Sequence, residues 1–194
     1  MNAKSAIFLD RDGTININNN YISQINNFFF IDNVIKTLLE LQDMGFILII
    51  VTNQSGIARG FFTEEQFLYL TKWMISYLKS YFIYIDAVYY CPHHVKGKVK
   101  KFKQFCCCRK PNPGMLINAK KYFNINMSKS YIIGDSKYDM FAGKSAQVGT
   151  TVLIHNKYNT KIIQELEWGS NPDYVIESLE FLPEIIKYHD NNVI

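Results

Sequence analysis

The stretch Ser5-Ala6-Ile7-Phe8-Leu9-Asp10-Arg11-Asp12-Gly13-Thr14 decides how the rest of the chain is read. Apolar residues without polar alternation run straight into two carboxylates and a glycine. A short run of this kind reads as a strand buried on both faces, the habit of parallel sheets. The arrangement recurs along the chain. Phe46–Val51 leads into Thr52-Asn53-Gln54, Asp86–Tyr90 into Cys91, and Tyr131–Ile133 into Gly134-Asp135, while Thr151–Ile154 reads as a fifth strand. Helical segments lie between them. Asn33–Met44 carries Val34, Leu38 and Leu41 on one face, with Asp32 as cap and Gly45 as stop. Thr63–Gln66 forms a capping box for a helix reaching Ser80, Pro113 opens one to Phe123, and Met140–Ser145 reads as another. Tyr174–Ile176 and Ser178–Tyr188 read as a last strand and helix. The alternation predicts an α/β, Rossmannoid three-layer sandwich with a central parallel sheet, as a single domain over 1–194. In such sheets ligands bind beyond the carboxyl ends of the strands, so the polar residues just quoted form the candidate site.

Of the 194 residues, 48% are apolar, enough for one core of ordinary size and too many for a disordered chain. The formal net charge of +4 favours anionic small molecules but falls far short of a nucleic-acid binder. Neither Ala6–Leu9 nor Phe46–Val51 is long enough for a signal-peptide core or a membrane span. A soluble, cytoplasmic protein is expected. No repeat, low-complexity tract or Pro/Gly/Ser linker divides the chain.

Asp10 and Asp12 stand two positions apart on a turn opened by Gly13, so both carboxylates can face one small volume. Like charges that close call for a cation, and a hard, oxygen-seeking one such as Mg²⁺ suits them. One carboxylate can then attack phosphorus while the other moves a proton. A plain polar turn has the same composition. Thr52 could equally cap the next segment, Lys110 could be one more surface lysine, and Asp135 a helix cap. Together with Asp139, however, these residues supply what phosphoryl transfer needs: an in-line nucleophile, donors for the equatorial oxygens and a metal site.

All four cysteines lie between Cys91 and Cys108. Cys91-Pro92-His93 and Cys106-Cys107-Cys108 are set fifteen residues apart, the pattern of a closed structural zinc site. Cys91, His93, Cys106 and Cys108 give a Cys₃His set for Zn²⁺, with Cys107 pointing away. Free thiols, with His94 as an alternative ligand, are the other reading. Disulfides are disfavoured in a chain without an export signal. The loop over 91–110 carries Lys96, Lys98, Lys100, Lys101 and Lys103 and little apolar content. A metal would therefore order it and so position Arg109 and Lys110.

Phe8-Leu9-Asp10-Arg11-Asp12-Gly13-Thr14 resembles the first motif of the haloacid dehalogenase (HAD) superfamily of phosphatases. Thr52, Lys110 and Gly134-Asp135 with Asp139 match its second, third and fourth motifs, so the resemblance covers nearly the whole chain. It implies that Asp10 attacks phosphorus and becomes phosphorylated. Asp12 protonates the leaving alkoxide and then deprotonates the hydrolytic water. Thr52 and Lys110 hold the phosphoryl oxygens, and Mg²⁺ is bound by the Asp10 carboxylate, the Asp12 backbone carbonyl and Asp135. Asp139 supports the metal site without touching the ion.

The run from Cys91 to Pro111 is similar to that of one zinc-containing branch, whose members act on a heptose bisphosphate or on histidinol phosphate. Val51–Gly60 resembles the heptose side, because the histidinol side typically has an acidic residue where Ser55 stands. The long loop between the cysteine pairs agrees. The resemblance implies hydrolysis of the 7-phosphate of heptose 1,7-bisphosphate to heptose 1-phosphate, on the way to the lipopolysaccharide core. Histidinol-phosphate hydrolysis in histidine biosynthesis is the alternative. Arg109 would grip the remote phosphate. Asn18, Asn19, Asn20 and Tyr21 of the flap after the first strand, and Asn53, Gln54 and Ser55 after the second, would contact the substrate beside Lys110. Ser136 is a departure, standing where heptose members can carry a basic residue next to the metal aspartate. The short spacings between motifs predict no large cap domain. The enzyme is expected to act as a monomer on a small sugar phosphate, without nucleic-acid or membrane partners.

Overall fold

The computed structural model describes residues 3–155 and 171–191. Six parallel strands form one sheet in the order β3-β2-β1-β4-β5-β6. They are β1 (Ala6–Leu9), β2 (Ile47–Asn53), β3 (Ala87–Cys91), β4 (Tyr131–Gly134), β5 (Thr150–Ile154) and β6 (Tyr174–Ile176). Each anticipated strand is present, within two residues at either end. The chain moves outward from β1 to one side through β2 and β3, then returns to β1's other side with β4. That reversal opens a crevice at the carboxyl end of β1, where ligands bind in open α/β sheets. Leu9 pairs with Ile50 on one side and Ile133 on the other, and Asp10 N–H donates to the Ile133 carbonyl at 2.9 Å. The first carboxylate is thus fixed at the centre of the sheet.

The helices are α1 (Val34–Asp43), α2 (Ser55–Arg59), α3 (Glu64–Ser80), α4 (Gly114–Phe123), α5 (Lys137–Ser145) and α6 (Leu182–Asn191). The period of two along β1 shows why the strand is apolar throughout. Ile7 and Leu9 pack with Leu38, Leu41, Leu70, Met74 and Leu182 from α1, α3 and α6. Ala6 and Phe8 pack with Leu116, Ala119 and Ala142 from α4 and α5. All four β1 side chains are fully buried, so every one of them contributes hydrophobic stabilisation, about 1.5–3 kcal/mol for a large one. No helix among the described residues is long and apolar enough to cross a membrane.

Helix starts differ from the sequence reading. Asn33, not Asp32, is the N-cap of α1, and it sits in the left-handed region (φ 62) without a side-chain cap bond. Asparagine tolerates that conformation better than most side chains. Pro113 precedes the first turn of α4 as its cap. α5 begins at Lys137, not Met140, because the Ser136 hydroxyl accepts from Tyr138 N–H and starts the helix before its apolar pattern begins. The capping box of Thr63 and Gln66 forms as read. α2 had no signal, being one turn of small residues directly after a strand.

Candidate active site

Asp10 lies at the floor of a cavity of about 220 Å³ at the crevice, lined by Asp12, Asn18, Asn20, Tyr21, Thr52, Asn53, Gln54, Ser55, Gly56 and Asp135. Its Oδ1 accepts from Arg11 N–H at 2.7 Å and lies 3.1 Å from Lys110 Nζ. One oxygen is thereby held and the other is left for chemistry. Asp12 faces a different set of donors. Arg11 donates to it through Nε (3.2 Å) and Nη2 (2.8 and 2.9 Å), Asn16 Nδ2 at 3.0 Å, and Gln54 Nε2 at 3.0 Å. The Arg11 guanidinium is buried and lies 5.5 Å from the centroid of the Phe67 ring. Arg11, quoted at the end of the first strand, was given no role in the sequence reading, and Asn16 was absent from it.

Gln54 also donates to Thr52 Oγ1 at 2.9 Å, which leaves the threonine's own proton for an oxygen in the cavity. Anticipated as a substrate contact, Gln54 lines the cavity but spends its amide N–H groups on Asp12 and Thr52. Asn53 does likewise: Nδ2 donates to the Lys110 carbonyl (3.0 Å) and Oδ1 accepts from Lys110 N–H (3.1 Å). The pair locks the segment carrying Lys110 against the end of β2.

Lys110 is buried beneath the cavity. Its ammonium reaches Asp10, Asp139 Oδ1 at 2.5 Å and the Val51 carbonyl at 2.7 Å. Three partners occupy its three donors. Burial alone would lower the lysine's pKa, but the Asp10 and Asp139 carboxylates outweigh it and hold the pKa above the ordinary value. Ligand oxygens of Asp10, Asp135 and Asp139 lie within 4.8 Å of one another. Burial pushes the Asp139 carboxyl upward, Asp10 and Asp135 add to the push, and Lys110 opposes it. Asp10 and Asp139 share the Lys110 ammonium, and Asp139 Oδ2 is buried without a hydrogen-bond partner. Three carboxylates this close together and the orphaned oxygen both fit a hard divalent cation. Asp139, expected to support the metal site without touching the ion, lies beside the other two carboxylates and is bonded to Lys110. Two glycines make the packing sterically feasible: a Cβ on Gly13 would lie 1.9 Å from Asp135 Oδ2, and one on Gly134 would lie 2.2 Å from Asp139 Cγ.

In the flap, Asn20 (φ 55) and Tyr21 (φ 54) both adopt the left-handed conformation, and the Tyr21 ring packs on Phe61 with centroids 4.5 Å apart. Asn18, Asn20 and Tyr21 line the catalytic cavity, whereas Asn19 lines the neighbouring one with Ile22, Ser23 and Phe29. Arg109 does not line the cavity; its Nη1 lies 3.5 Å from the His93 carbonyl. Ser136 caps α5 in place of any basic contact.

The Cys/His set assembles. Ligand atoms of Cys91, His93, Cys106 and Cys108 all lie within 4.8 Å of one another, and Cys107 is exposed. His93 Nδ1 is 3.8 Å from Sγ of both Cys91 and Cys108. Ligand distances of about 2.0–2.3 Å around a tetrahedral ion give edges of roughly 3.3–3.8 Å, so these four atoms could hold one. Contact with Cys91 and then burial push the Cys108 thiol well up, and burial pushes up Cys106. His94 is not part of the set. The loop also has an apolar anchor the sequence reading overlooked, since Phe102 packs with Ile57, Ala58, Phe62 and Phe67.

The chain is similar to D-glycero-β-D-manno-heptose-1,7-bisphosphate 7-phosphatase of Escherichia coli K12, with 52% identity over 182 residues, covering 94% of this chain and 93% of that protein. The same enzyme of Pasteurella multocida is 49% identical over 184 residues, covering 95% and 97%. Residues 107–182 match the HAD-hydrolase-like family model. In three dimensions the chain resembles D,D-heptose 1,7-bisphosphate phosphatase from B. bronchiseptica, solved with magnesium and phosphate. The TM-score is 0.81 at 23% identity, over 95% of this chain and 99% of that one.

Proposed function

This chain belongs to the D-glycero-β-D-manno-heptose-1,7-bisphosphate 7-phosphatase family, and on that premise we propose that it removes the 7-phosphate of that sugar through a phosphorylated Asp10. It is a phosphoric monoester hydrolase. The observation that carries the mechanism is the Asp10 carboxylate at the cavity floor, with one oxygen fixed by Lys110 Nζ and Arg11 N–H.

The remaining Asp10 oxygen attacks phosphorus in line, and the bond from phosphorus to the C7 oxygen breaks. Asp12, aimed by Arg11, Asn16 and Gln54, gives its proton to that oxygen. It then takes a proton from water, which attacks phosphorus and breaks the Asp10–phosphate bond, releasing inorganic phosphate. Thr52 donates its hydroxyl proton to a phosphoryl oxygen. Lys110, whose donors are spent on Asp10, Asp139 and Val51, orients the nucleophile and offsets its charge. Asp10, Asp135 and the Asp12 backbone carbonyl would hold Mg²⁺, with Asp139 buried beside them. Bound there, Mg²⁺ would neutralise charge on the phosphoryl group.

Cys91, His93, Cys106 and Cys108 would hold a structural Zn²⁺, for which the closed thiolate and imidazole set is suited. Its service is mechanical: the loop leads directly into Arg109 and Lys110. Asn18, Asn20, Tyr21 and Ser55 form the sugar-facing wall, and Arg109 recognises the remote phosphate.

The test is phosphate release with Mg²⁺ from heptose 1,7-bisphosphate and, separately, from histidinol phosphate. One phosphate per bisphosphate, with heptose 1-phosphate as product, is expected; preference for histidinol phosphate would overturn the substrate. Asp10→Asn should fold, keep its zinc and lose turnover, and full activity there would refute the nucleophile.

A further inference from the structure

We propose that Phe61, which lies outside the catalytic motifs and does not line the cavity, is a positioning residue: its ring holds Tyr21 in the sugar-facing wall and so sets how tightly the substrate is bound. The inference deepens the reading above and rests on it, because it needs that wall to take the sugar.

Tyr21 is placed against its own backbone preference. It lines the catalytic cavity, and both it and Asn20 lie in the left-handed region. A bulky side chain rarely adopts that conformation, which persists only where the surroundings hold it. The backbone on either side is held. Asn18 Oδ1 accepts from Asn20 N–H at 3.2 Å, and Ile17 N–H donates to the Phe29 carbonyl at 2.9 Å. The Ile22 carbonyl accepts from Arg11 Nη2 at 3.2 Å, and the Ile22 side chain is buried in the core with Ile15 and Leu70. None of these bonds acts on the Tyr21 ring. Tyr21 is 45% exposed, and its ring rests on that of Phe61, with centroids 4.5 Å apart and planes inclined by 57°.

Phe61 comes from a different part of the wall. Ser55 and Gly56 of α2 line the cavity, and Phe61 N–H donates to the Gly56 carbonyl at 3.0 Å. The next residue, Phe62, is buried with Ile57, Ala58, Phe67 and Phe102. It sits so close to α2 that a Cβ on Gly56 would lie 2.2 Å from its ring. Phe62 therefore roots the segment in the core, while Phe61 stays 56% exposed and contributes little to that core. Its ring contact instead ties the flap after β1 to the segment after α2. Such aromatic pairs add to the stability of an arrangement beyond the area they bury. The reacting groups do not depend on this tie. Asp10 is held by Lys110 and Arg11 N–H, and Asp12 by Arg11, Asn16 and Gln54. Losing the Phe61 ring should thus free Tyr21 and weaken substrate binding, and leave the chemical step intact.

The test measures kcat and KM for D-glycero-β-D-manno-heptose 1,7-bisphosphate, and amide hydrogen exchange over 18–22, in the zinc- and magnesium-loaded enzyme and in its Phe61→Ala and Phe61→Tyr forms. Phe61→Ala should raise KM about twofold to tenfold, the range for loss of an aromatic pair. It should leave kcat unchanged and speed exchange over 18–22. Phe61→Tyr keeps the ring and should match the wild type in all three. Unchanged KM and exchange in Phe61→Ala overturn the proposal, as does a loss confined to kcat, or a Phe61→Tyr form as impaired as Phe61→Ala. Should Phe61→Ala fail to fold, Phe61→Leu, which keeps apolar bulk without the ring, decides by the same comparison with Phe61→Tyr. A wild type that does not turn over the bisphosphate refutes the substrate reading, and exchange alone then judges the hold on Tyr21: faster exchange in Phe61→Ala supports it, and unchanged exchange overturns it.

Discussion

Replacing Gly13 with alanine should cripple the active site at modest cost to the fold. The new Cβ would stand 1.9 Å from Asp135 Oδ2 and 2.5 Å from its Cγ, where real contacts do not fall below 3.0 Å. The carboxylate must retreat by about 1.1 Å, the difference between these distances. Misplacement on the order of 1 Å in a phosphoryl-transfer site costs roughly 10²-fold in rate. Gly13 also has φ 85, where an alanine adds about 1–2 kcal/mol of strain, or about 2–8 °C in Tm for a domain of this size. Gly45 separates the two effects. It has φ 89, but a Cβ there would meet nothing within 4 Å. Gly45→Ala should lose comparable stability and keep its rate. Phosphate release measured against Mg²⁺ concentration, beside thermal melts, reads both. Gly13→Ala with wild-type rate and unchanged Mg²⁺ requirement would refute the placement of Asp135 at the metal.

Two further outcomes follow from features away from the nucleophile. Removing the proposed zinc with a chelator should release the loop: the Lys98 and Val99 amides, bonded to Ala58, should lose exchange protection, and KM should rise. Because Cys106 and Cys108 have raised pKa values, metal binding must expel protons, so acid should weaken it; intact protection and rate after metal loss would sink the structural role. Burial raises Asp173, but hydrogen bonds from Lys144 and Thr151 outweigh it and depress its folded pKa. Its stabilisation is then present above the unfolded carboxylate value of about 3.9 and is lost as pH falls through the lower folded value. With the Lys144–Asp173 pair half-exposed, Asp173→Asn should cost no more than about 1 kcal/mol near neutrality and nothing in strong acid. Urea melts across this range check it, and a deficit that persists in acid would contradict it.

Strand order and site location were legible because parallel strands are uniformly apolar and their ends carry the chemistry. Asp10, Asp12, Thr52 and Asp135 fall at those ends and meet in one cavity. Bonding partners were less legible, because they depend on contacts distant in sequence. Nothing local announces that Gln54 serves Asp12 across forty-two positions, or that Asn53 clasps the backbone of Lys110 across fifty-seven. Composition also understated the loop, whose single Phe102 suffices as an anchor once α2 supplies its socket. α2 itself lacks any amphipathic stripe, its five residues being too few to show one.

β3 ends the sheet on one side, with its outer backbone groups facing no strand among the described residues. Such an edge is a template for another chain. Its last residue is Cys91, one of the four Cys/His residues that could hold a metal ion, so an ion bound there would fix the end of this edge as well as the loop. The five lysines of the loop, from Lys96 to Lys103, then acquire a colloidal role. They follow Cys91 in the chain, so positive charge comes directly after the open strand, and lysines at a sheet edge disfavour edge-to-edge stacking.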